Sequence, residues 1–146
     1  MKPQNEMNLC FDSRSSNEAF ARSVVSAFIV QLDPTISELS DIKTAVSEAV
    51  TNCVVHAYGD TIGKIYINVK IFENGTITIK IRDSGCGIDD IKKAMEPLFT
   101  TAGGERAGLG FAVMQSFMDN VRVKSTPGKG TIVTFTKKLS RRVLNG

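Results

Sequence analysis

The chain has 146 residues, a length that suits one domain with a real core and is too short for two ordinary ones. The apolar fraction of 42%, the charged fraction of 23% and the net charge of +3 are those of a soluble globular protein, and they do not require a nucleic acid partner. No segment is apolar enough to span a membrane, and the three cysteines lack metal or disulfide spacing, so we expect a cytoplasmic protein with reduced thiols.

The first part of the chain predicts one strand and two helices. Weak alternation at residues 7–12 indicates a short strand, and the SSNEAF stretch that follows offers a serine cap and a nearby glutamate for the start of a helix. The DPT sequence at residues 33–35 ends this helix. A second helix is expected from Ser37 to about Ala57, because apolar residues recur there at spacings of three and four.

The second part of the chain begins with strict alternation on both sides of an ENG turn, which predicts a β-hairpin. The hairpin is predicted at residues 64–83, and a short helix at residues 88–95 follows it. A glycine-rich loop is predicted at residues 96–108, a helix at residues 109–120 and a second hairpin at residues 121–139. This order indicates an α+β fold, a two-layer sandwich in which the helices cover one face of a sheet. We expect a single domain over residues 1–146.

Three polar side chains recur at a spacing of four on the second predicted helix: Glu48, Asn52 and His56. Residues four apart lie on one helical face, and this face borders the apolar stripe that includes Cys53. Such polar groups either line an enclosed site or form a solvated helix face. His56 falls in phase with the apolar positions, which favours a core histidine.

The RDSGCGI stretch ends a strand at an aspartate and continues into two glycines. Asp83 follows the alternating isoleucines of the hairpin, and Gly85 and Gly87 come shortly after it. One interpretation is a simple turn between strand and helix. The other is a purine site, since a buried carboxylate can accept a hydrogen bond from an exocyclic amine and glycines allow a ring to approach the main chain.

Glycines are concentrated again in the GGERAGLGF stretch. Gly108 and Gly110 are expected just before a helix, where free amides can bind phosphate oxygens, and Gly103 and Gly104 would let the preceding loop close over them. A flexible connector is the alternative interpretation. The sequence contains neither a Walker loop nor a GxGxxG dinucleotide motif, so a nucleotide here would need another architecture.

The SEAVTN, RDSGCGI and GLGF stretches together resemble the N, G1 and G2 boxes of the GHKL ATPases, in order and in spacing. This superfamily includes DNA gyrase and the histidine kinases, and the resemblance implies its Bergerat fold, with a mixed, mostly antiparallel sheet. Residues 32–60 and 96–121 are similar to the anti-sigma serine kinases of sporulating bacteria. The resemblance covers nearly the whole chain and is weakest at the termini and around residues 60–78.

The resemblance implies roles for residues on the second helix and the glycine turn. Glu48 matches a candidate general base, and Asn52 matches the asparagine that helps hold Mg²⁺ across the phosphates of ATP. Asp83 matches the aspartate that reads adenine, and Gly85 and Gly87 match the glycines of the G1 box.

Other matched positions surround the phosphates and the partner surface. They are the lid residues Thr100 and Thr101, the phosphate-cradling Gly108, Leu109 and Gly110, Thr131 near the adenine pocket, and Arg22 at the partner-binding surface. The lid reads TTAGGERAG where relatives often carry Lys or Pro after the threonine pair, so the sequence does not predict the affinity for nucleotide.

The resemblance therefore implies an anti-sigma factor that depends on ATP and Mg²⁺. Such a protein binds a sigma factor of the sigma F type, keeps it from RNA polymerase, and phosphorylates a serine of a small anti-anti-sigma protein. The family also forms homodimers, and the strand at residues 7–12 is the candidate contact, because an uncovered strand edge favours pairing.

Three alternatives remain open. One is a nucleotide-gated sigma-binding module without kinase activity. Another is a detached catalytic domain of a histidine kinase, which would need a phosphoacceptor histidine that His56, inside the N box, does not supply. The third is a nucleic acid binder that uses Lys137, Lys138, Arg141 and Arg142, but this cluster is short and lacks interleaved aromatics, so we expect no direct contact with nucleic acid or membrane.

Overall fold

The computed structural model describes residues 2–91 and 105–140. The strands are β1 (Asn5–Asp12), β2 (Lys64–Ile71), β3 (Thr76–Asp83), β4 (Asn120–Thr126) and β5 (Gly130–Lys138). The α-helices are α1 (Asn17–Ile29), α2 (Ile36–Asn52) and α3 (Glu105–Phe117). A 3-10 turn, Val30–Leu32, follows α1, and a π-helical segment, Cys53–Tyr58, follows α2.

The five strands form one sheet in the order β1-β2-β3-β5-β4, and all four pairings are antiparallel. Alternation of buried and exposed residues along β2 and β3 places the isoleucines on the inner face, where Ile67 pairs with Ile81 and Ile81 with Val133. The predicted α+β sandwich is confirmed, and both hairpins lie where the sequence placed them. The described strands contain no parallel pairing, so the sheet is not mixed within these residues.

The core lies between the inner face of the sheet and the helices, with α2 packed between α1 and α3. Burying each large apolar side chain stabilises the fold by about 1.5–3 kcal/mol, so the buried side chains supply most of the free energy that drives folding. The largest fully buried side chains are Val25, Ile29, Ile42, Val46, Ile65, Ile67, Ile71, Ile77, Ile79, Ile81, Met114 and Phe135. Across residues 2–91 and 105–140, no helix combines the length and the apolarity that crossing a membrane requires.

The start of α2 is fixed by a capping box that the sequence analysis did not identify. Thr35 Oγ1 accepts from the Glu38 N–H at 3.0 Å, and Glu38 Oε1 accepts from the Thr35 N–H at 2.9 Å. Glu38 Oε2 also accepts from the Ser140 N–H at 2.7 Å, which ties the end of β5 to this helix. Burial raises the pKa of Glu38, but the hydrogen bonds from Ser140 and Thr35 outweigh it and lower the pKa overall.

The end of α2 differs from the prediction of a regular helix to Ala57. The α-helix ends at Asn52, and the next six residues are π-helical. In this segment the carbonyl of Ala57 accepts from the Cys86 N–H at 2.9 Å, and the carbonyl of His56 accepts from the Cys86 thiol at 3.2 Å. The wider π-helical turn therefore directs main-chain carbonyl groups toward the loop after β3. In a regular continuation of α2, these carbonyl groups would accept hydrogen bonds within the helix instead.

Candidate functional site

A cavity of about 90 Å³ lies where α2 and the π-helical segment meet the ends of β3 and β5. Four residues predicted as site residues line it: Asn52, Asp83, Gly87 and Thr131. His56, predicted as a core histidine, is half-buried and lines the same cavity. The fold therefore brings together positions that are up to 79 residues apart in the sequence.

The lining is completed by Ala49, Cys53, Ala57, Ile88, Phe111 and Val133. Most of these side chains are apolar, whereas Asn52, Asp83 and Thr131 supply polar groups. A concave apolar site with a few convergent polar groups suits a flat heterocycle with hydrogen-bonding edges. This part of the cavity is therefore the candidate base pocket.

Asp83 is the buried acid of the cavity, with 5% of its surface exposed. Its Oδ1 accepts from the Gly85 N–H at 2.9 Å, and its Oδ2 accepts from the Cys53 thiol at 3.4 Å. A buried carboxylate needs such donors, because an unpaired charge is costly in an apolar environment. Each carboxylate oxygen has a second lone pair, so Asp83 can still accept from a ligand.

The glycines after Asp83 allow close contacts between protein main chains. A Cβ on Gly85 would lie 2.4 Å from the carbonyl oxygen of Ala57, in the π-helical segment. Gly87 has φ +77, and a Cβ there would lie 2.4 Å from the carbonyl oxygen of Thr126. The sequence left two interpretations of these glycines, a simple turn between strand and helix and the approach of a ligand ring. In the structure, the space beside their missing Cβ atoms is occupied by main chain, and contact with a ligand stays a prediction.

Tyr58 holds the residue that follows Asp83, and the sequence analysis missed it. The Tyr58 hydroxyl accepts from the Ser84 N–H at 2.8 Å and donates to the Lys64 carbonyl at 2.6 Å. Its ring packs against Gly63, where a Cβ would lie 2.1 Å from a ring carbon. Tyr58 thus joins the π-helical segment, the start of β2 and the loop after β3. No sequence motif indicates this role, because it depends on three segments that meet only in the fold.

Thr131 is positioned by Ser125, a second residue that the sequence analysis missed. The two residues are paired across β4 and β5, and their hydroxyl oxygens lie 2.8 Å apart. Ser125 Oγ also accepts from the Ile88 N–H at 2.8 Å, so it links the strand hairpin to the loop that contains the glycines. Thr131 is 7% exposed, and its hydroxyl is the polar group of the cavity wall opposite α2.

Asn52, on α2, contributes a polar side chain to the cavity lining. Its Nδ2 is buried, and among the residues that the structure describes it has no hydrogen-bond partner. A Cβ on Gly110 would lie 3.2 Å from Asn52 Nδ2 and 3.3 Å from Glu48 Oε2, so α3 approaches α2 closely here. A buried amide without a partner fits a residue that contacts a ligand or ion.

The residues near Asn52 fit a magnesium ion only if a ligand supplies further oxygens. Within the described part of the chain, no group of three His, Cys, Asp or Glu residues could hold a metal. Mg²⁺ in nucleotide sites takes one or two protein oxygens and completes its shell with phosphate oxygens and water. Asn52 Oδ1 can supply one such oxygen, so the donor set fits a magnesium–nucleotide complex and not a protein-only metal site.

The GLGF stretch lies inside α3 and not ahead of it, which corrects the sequence prediction. Gly108, Leu109 and Gly110 lie within the helix Glu105–Phe117. The residues before them, Glu105 to Ala107, are good helix formers, and the close contact of Gly110 with α2 favours a helix at this point. The predicted lid residues Thr100 and Thr101 lie outside the described residues.

Glu48 lines a second recess, of about 280 Å³, between α1 and α2. This recess also contains Arg22, the predicted partner-binding residue, together with Ser40, Lys43, Thr44 and Ser47. Arg22 Nε lies 3.4 Å from a Glu18 carboxylate oxygen, and the other oxygen of Glu18 accepts from the Ser47 hydroxyl. The candidate base and the candidate partner residue therefore line one recess, which the sequence analysis did not predict.

Comparison with known proteins identifies relatives over nearly the whole chain. A family model described as a histidine kinase-like ATPase domain matches residues 11–137. An anti-sigma F factor from Caldanaerobacter subterraneus subsp. tengcongensis is 60% identical over 142 residues, covering 97% of this chain and 99% of that protein. The anti-sigma F factor from Pasteuria penetrans is 52% identical over 138 residues, and the match covers 93% of this chain and 92% of that protein.

Solved structures share the fold at low identity. The RsbU and RsbW domains of a Mycobacterium tuberculosis protein match with a TM-score of 0.71 at 21% identity, covering 95% of this chain and 33% of that chain. The nucleotide-free catalytic domain of the histidine kinase ThkA matches with a TM-score of 0.58 at 16% identity, covering 93% of this chain and 99% of that chain. ShkA, solved in complex with AMPPNP, matches with a TM-score of 0.57 at 17% identity, covering 89% of this chain and 31% of that chain. At these identities the likeness concerns the fold alone.

Proposed function

Because the chain belongs to the histidine kinase-like ATPase domain family, and within it to the anti-sigma F factors, we propose that it is an anti-sigma factor with ATP-dependent serine kinase activity. It binds a sigma factor of the sigma F type and keeps it from RNA polymerase. It also transfers the γ-phosphoryl group of ATP to a serine of a small anti-anti-sigma protein. The whole chain acts as one domain, and it acts in the cytoplasm, where transcription takes place.

The cavity that joins Asp83, Thr131 and Asn52 is the observation that carries this proposal. The adenine ring of ATP lies among the apolar side chains, and its exocyclic amine donates to the carboxylate of Asp83. This hydrogen bond to a charged acceptor is stronger than one between neutral groups, so it favours adenine over bases that present a carbonyl. Thr131, fixed by Ser125, supplies a hydroxyl to the same base.

Asn52 stands where the nucleotide leaves the base pocket toward α3. Its side-chain oxygen would hold Mg²⁺, and its Nδ2, which has no partner among the described residues, is available to a phosphate oxygen. When bound, Mg²⁺ would neutralise phosphate charge during phosphoryl transfer. The candidate phosphate-binding residues are Gly108, Leu109 and Gly110 of α3. Thr100 and Thr101 are the candidate lid residues.

Glu48 lies one helical turn before Asn52, and its carboxylate is the candidate general base. It accepts the proton of the attacking serine hydroxyl as the new O–P bond forms and the bond to the ADP oxygen breaks. General base catalysis of this kind contributes about 10²- to 10⁴-fold to a rate. Positioning of the hydroxyl in line with the phosphoryl group accounts for much of the remainder.

Arg22 is the candidate partner-binding residue because it lines the recess that also contains Glu48. Its side chain is 41% exposed, so a partner can reach it, and Glu18 holds its guanidinium group in place. A partner that docks on Arg22 presents its contacting segment to the recess. The acceptor serine of the anti-anti-sigma protein would then lie close to the carboxylate of Glu48.

The protein forms a homodimer through β1. This strand is one edge of the sheet, and within the described residues it pairs with β2 on one side only. An uncovered edge presents free main-chain donors and acceptors to a second copy. Light scattering during size-exclusion chromatography tests this point, and a monomeric mass at micromolar concentration contradicts it.

Incubation with γ-labelled ATP, Mg²⁺ and an anti-anti-sigma protein of a related sporulating bacterium tests the kinase activity. We expect label on a serine of the added protein. A parallel experiment measures retention of a sigma F-type factor in the presence of Mg-ATP and of Mg-ADP. Sigma retention without labelled serine would leave a nucleotide-gated binding module, whereas neither retention nor label would overturn the proposed function.

A further inference from the structure

Asp83 makes one hydrogen bond that adenine recognition by itself does not require. The thiol of Cys53 donates to Asp83 Oδ2, with the sulfur and oxygen atoms 3.4 Å apart. The two residues are each 5% exposed, and both line the cavity. The carboxylate is thus held from two sides, by the thiol at the start of the π-helical segment and by the Gly85 N–H, which lies 2.9 Å from Oδ1.

The direction of this hydrogen bond follows from the chemistry of the two groups. A thiol carries a proton and a carboxylate has none to donate, so Cys53 is the donor and Asp83 Oδ2 is the acceptor. The bond also joins two elements, because Cys53 begins the π-helical segment and Asp83 ends β3.

We propose that Cys53 is a positioning residue for base recognition. Its thiol fixes the carboxylate of Asp83 so that the free lone pairs of the carboxylate point toward the purine. This orientation strengthens the preference for a 6-amino base over a 6-oxo base. This inference rests on the proposed function, since it concerns the same cavity. It adds a residue that neither the sequence motifs nor the purine-site interpretation includes.

The physical reason lies in the freedom of a carboxylate to rotate. The terminal torsion of an aspartate is broad, so one hydrogen bond leaves the plane of the carboxylate poorly defined. Two donors on different elements define that plane. A carboxylate that is held in place has no proton to donate to the oxygen of a 6-oxo base. Each buried acceptor that is left without a donor in this way costs about 1–3 kcal/mol. A carboxylate that can turn, or can admit a bridging water, relaxes that penalty and loses selectivity.

Calorimetric titration with Mg-ATP and Mg-ITP tests the proposal, because the base of ITP carries a 6-oxo group and an N1–H where adenine carries a 6-amino group and an unprotonated N1. For Cys53→Ala we expect the ATP affinity and the ATP-to-ITP affinity ratio each to fall about 3- to 10-fold, as a thiol is a weak donor to a charged acceptor. Cys53→Ser restores a donor and should bring the ratio back to within about twofold of wild type. Cys10→Ala, at an exposed cysteine outside the cavity, is the matched control. It should change neither affinity, because the proposed pairing of β1 with a second copy uses main-chain groups.

The results separate this inference from the proposed function. If the wild-type protein binds neither nucleotide, the proposed function fails. If it binds ATP but Cys53→Ala keeps the wild-type ratio, or Cys53→Ser behaves like Cys53→Ala, only the role of Cys53 is overturned.

An infrared measurement tests the same hydrogen bond even if Cys53→Ala does not fold. In a Cys10→Ala/Cys86→Ala variant that circular dichroism shows to be folded, the remaining S–H band belongs to Cys53. We expect it below the frequency of a free thiol and expect it to shift when Asp83→Asn is added. A band at the free-thiol position overturns the proposal.

Discussion

Replacement of Gly85 by alanine tests how the base pocket is held together. The new Cβ would lie 2.4 Å from the carbonyl oxygen of Ala57 and 2.6 Å from its carbonyl carbon. Ordinary contact begins near 3.4 Å, so the loop or the π-helical segment must move by roughly 1 Å. That movement would break the hydrogen bond from the Gly85 N–H to Asp83 Oδ1, which is 2.9 Å long.

Two effects of this substitution can be given a magnitude. A hydrogen bond to a charged group contributes about 1.5–3 kcal/mol, so the ATP affinity should fall about 10- to 100-fold. Overpacking against main chain costs about 1–3 kcal/mol of folding stability. Calorimetric titration with Mg-ATP measures the first effect, and urea unfolding measures the second.

Gly128→Ala is the matched control for Gly85→Ala. Gly128 has φ +80, but its Cβ would meet nothing within 4 Å, so alanine there adds backbone strain without a clash. We expect a stability loss of about 1–2 kcal/mol and an ATP affinity within about twofold of wild type. A Gly85→Ala protein that is folded and binds ATP like wild type would refute the reasoning, because the loop would then not depend on its contact with Ala57.

Four further substitutions test individual contacts. Asn52→Ala should lower the affinity for ATP at least about 10-fold in Mg²⁺ and much less in EDTA. It should leave the urea midpoint nearly unchanged, because the substitution removes no hydrogen bond within the described residues. Glu48→Gln should keep ATP binding in calorimetry and lose about 10²-fold or more of the serine phosphorylation rate. Tyr58→Phe should lose about 0.5–1.5 kcal/mol in urea unfolding, since it removes the hydrogen bonds of the hydroxyl with the Ser84 N–H and the Lys64 carbonyl. The pKa of Glu38 is lowered by hydrogen bonds in spite of burial, so its contribution to stability is present above the unfolded pKa and is lost as the pH falls through the folded pKa. Urea midpoints should therefore fall more steeply for wild type than for Glu38→Gln between about pH 5 and pH 3.

Each of these predictions has a result that contradicts it. An equal loss of affinity in Mg²⁺ and EDTA would remove Asn52 from the metal role. Normal phosphorylation by Glu48→Gln would remove that carboxylate as the base. An unchanged midpoint for Tyr58→Phe would mean that water replaces the hydroxyl. Parallel pH curves for wild type and Glu38→Gln would show that the capping carboxylate does not titrate differently on unfolding.

The strands were predictable from the sequence because their signal is local. Alternating isoleucines on both sides of the ENG turn define β2 and β3, and the burial of every second residue follows from the pleat. The GKG turn defines the second hairpin in the same way. The sequence also indicated Asp83, which lines the cavity, because a carboxylate at the end of a buried strand precedes two glycines.

The π-helical segment and the placement of the GLGF stretch inside α3 were not predictable, because they depend on contacts between distant residues. The Ala57 carbonyl accepts from Cys86, 29 positions later, and no local pattern indicates that pair. Gly110 lies inside a helix, where glycine is normally unfavourable by about 1 kcal/mol, since it lets α3 approach Asn52 and Glu48. Cys53 falls on the apolar stripe of α2, so its position favours a core residue, and only the fold reveals its hydrogen bond to Asp83.

The placement of Glu48 and Asn52 on one helix accounts for how a single small domain could combine sigma binding with phosphorylation. Four residues of α-helix span about 6 Å, so these side chains lie one turn apart. Asn52 lines the candidate base pocket, and Glu48 lines the recess that contains Arg22. In the proposed function, a nucleotide that extends from Asp83 past Asn52 would end beside the proposed partner surface. A partner docked on Arg22 would then contact a surface that changes when the terminal phosphate is lost, so its affinity would depend on the nucleotide without any long-range movement of the fold.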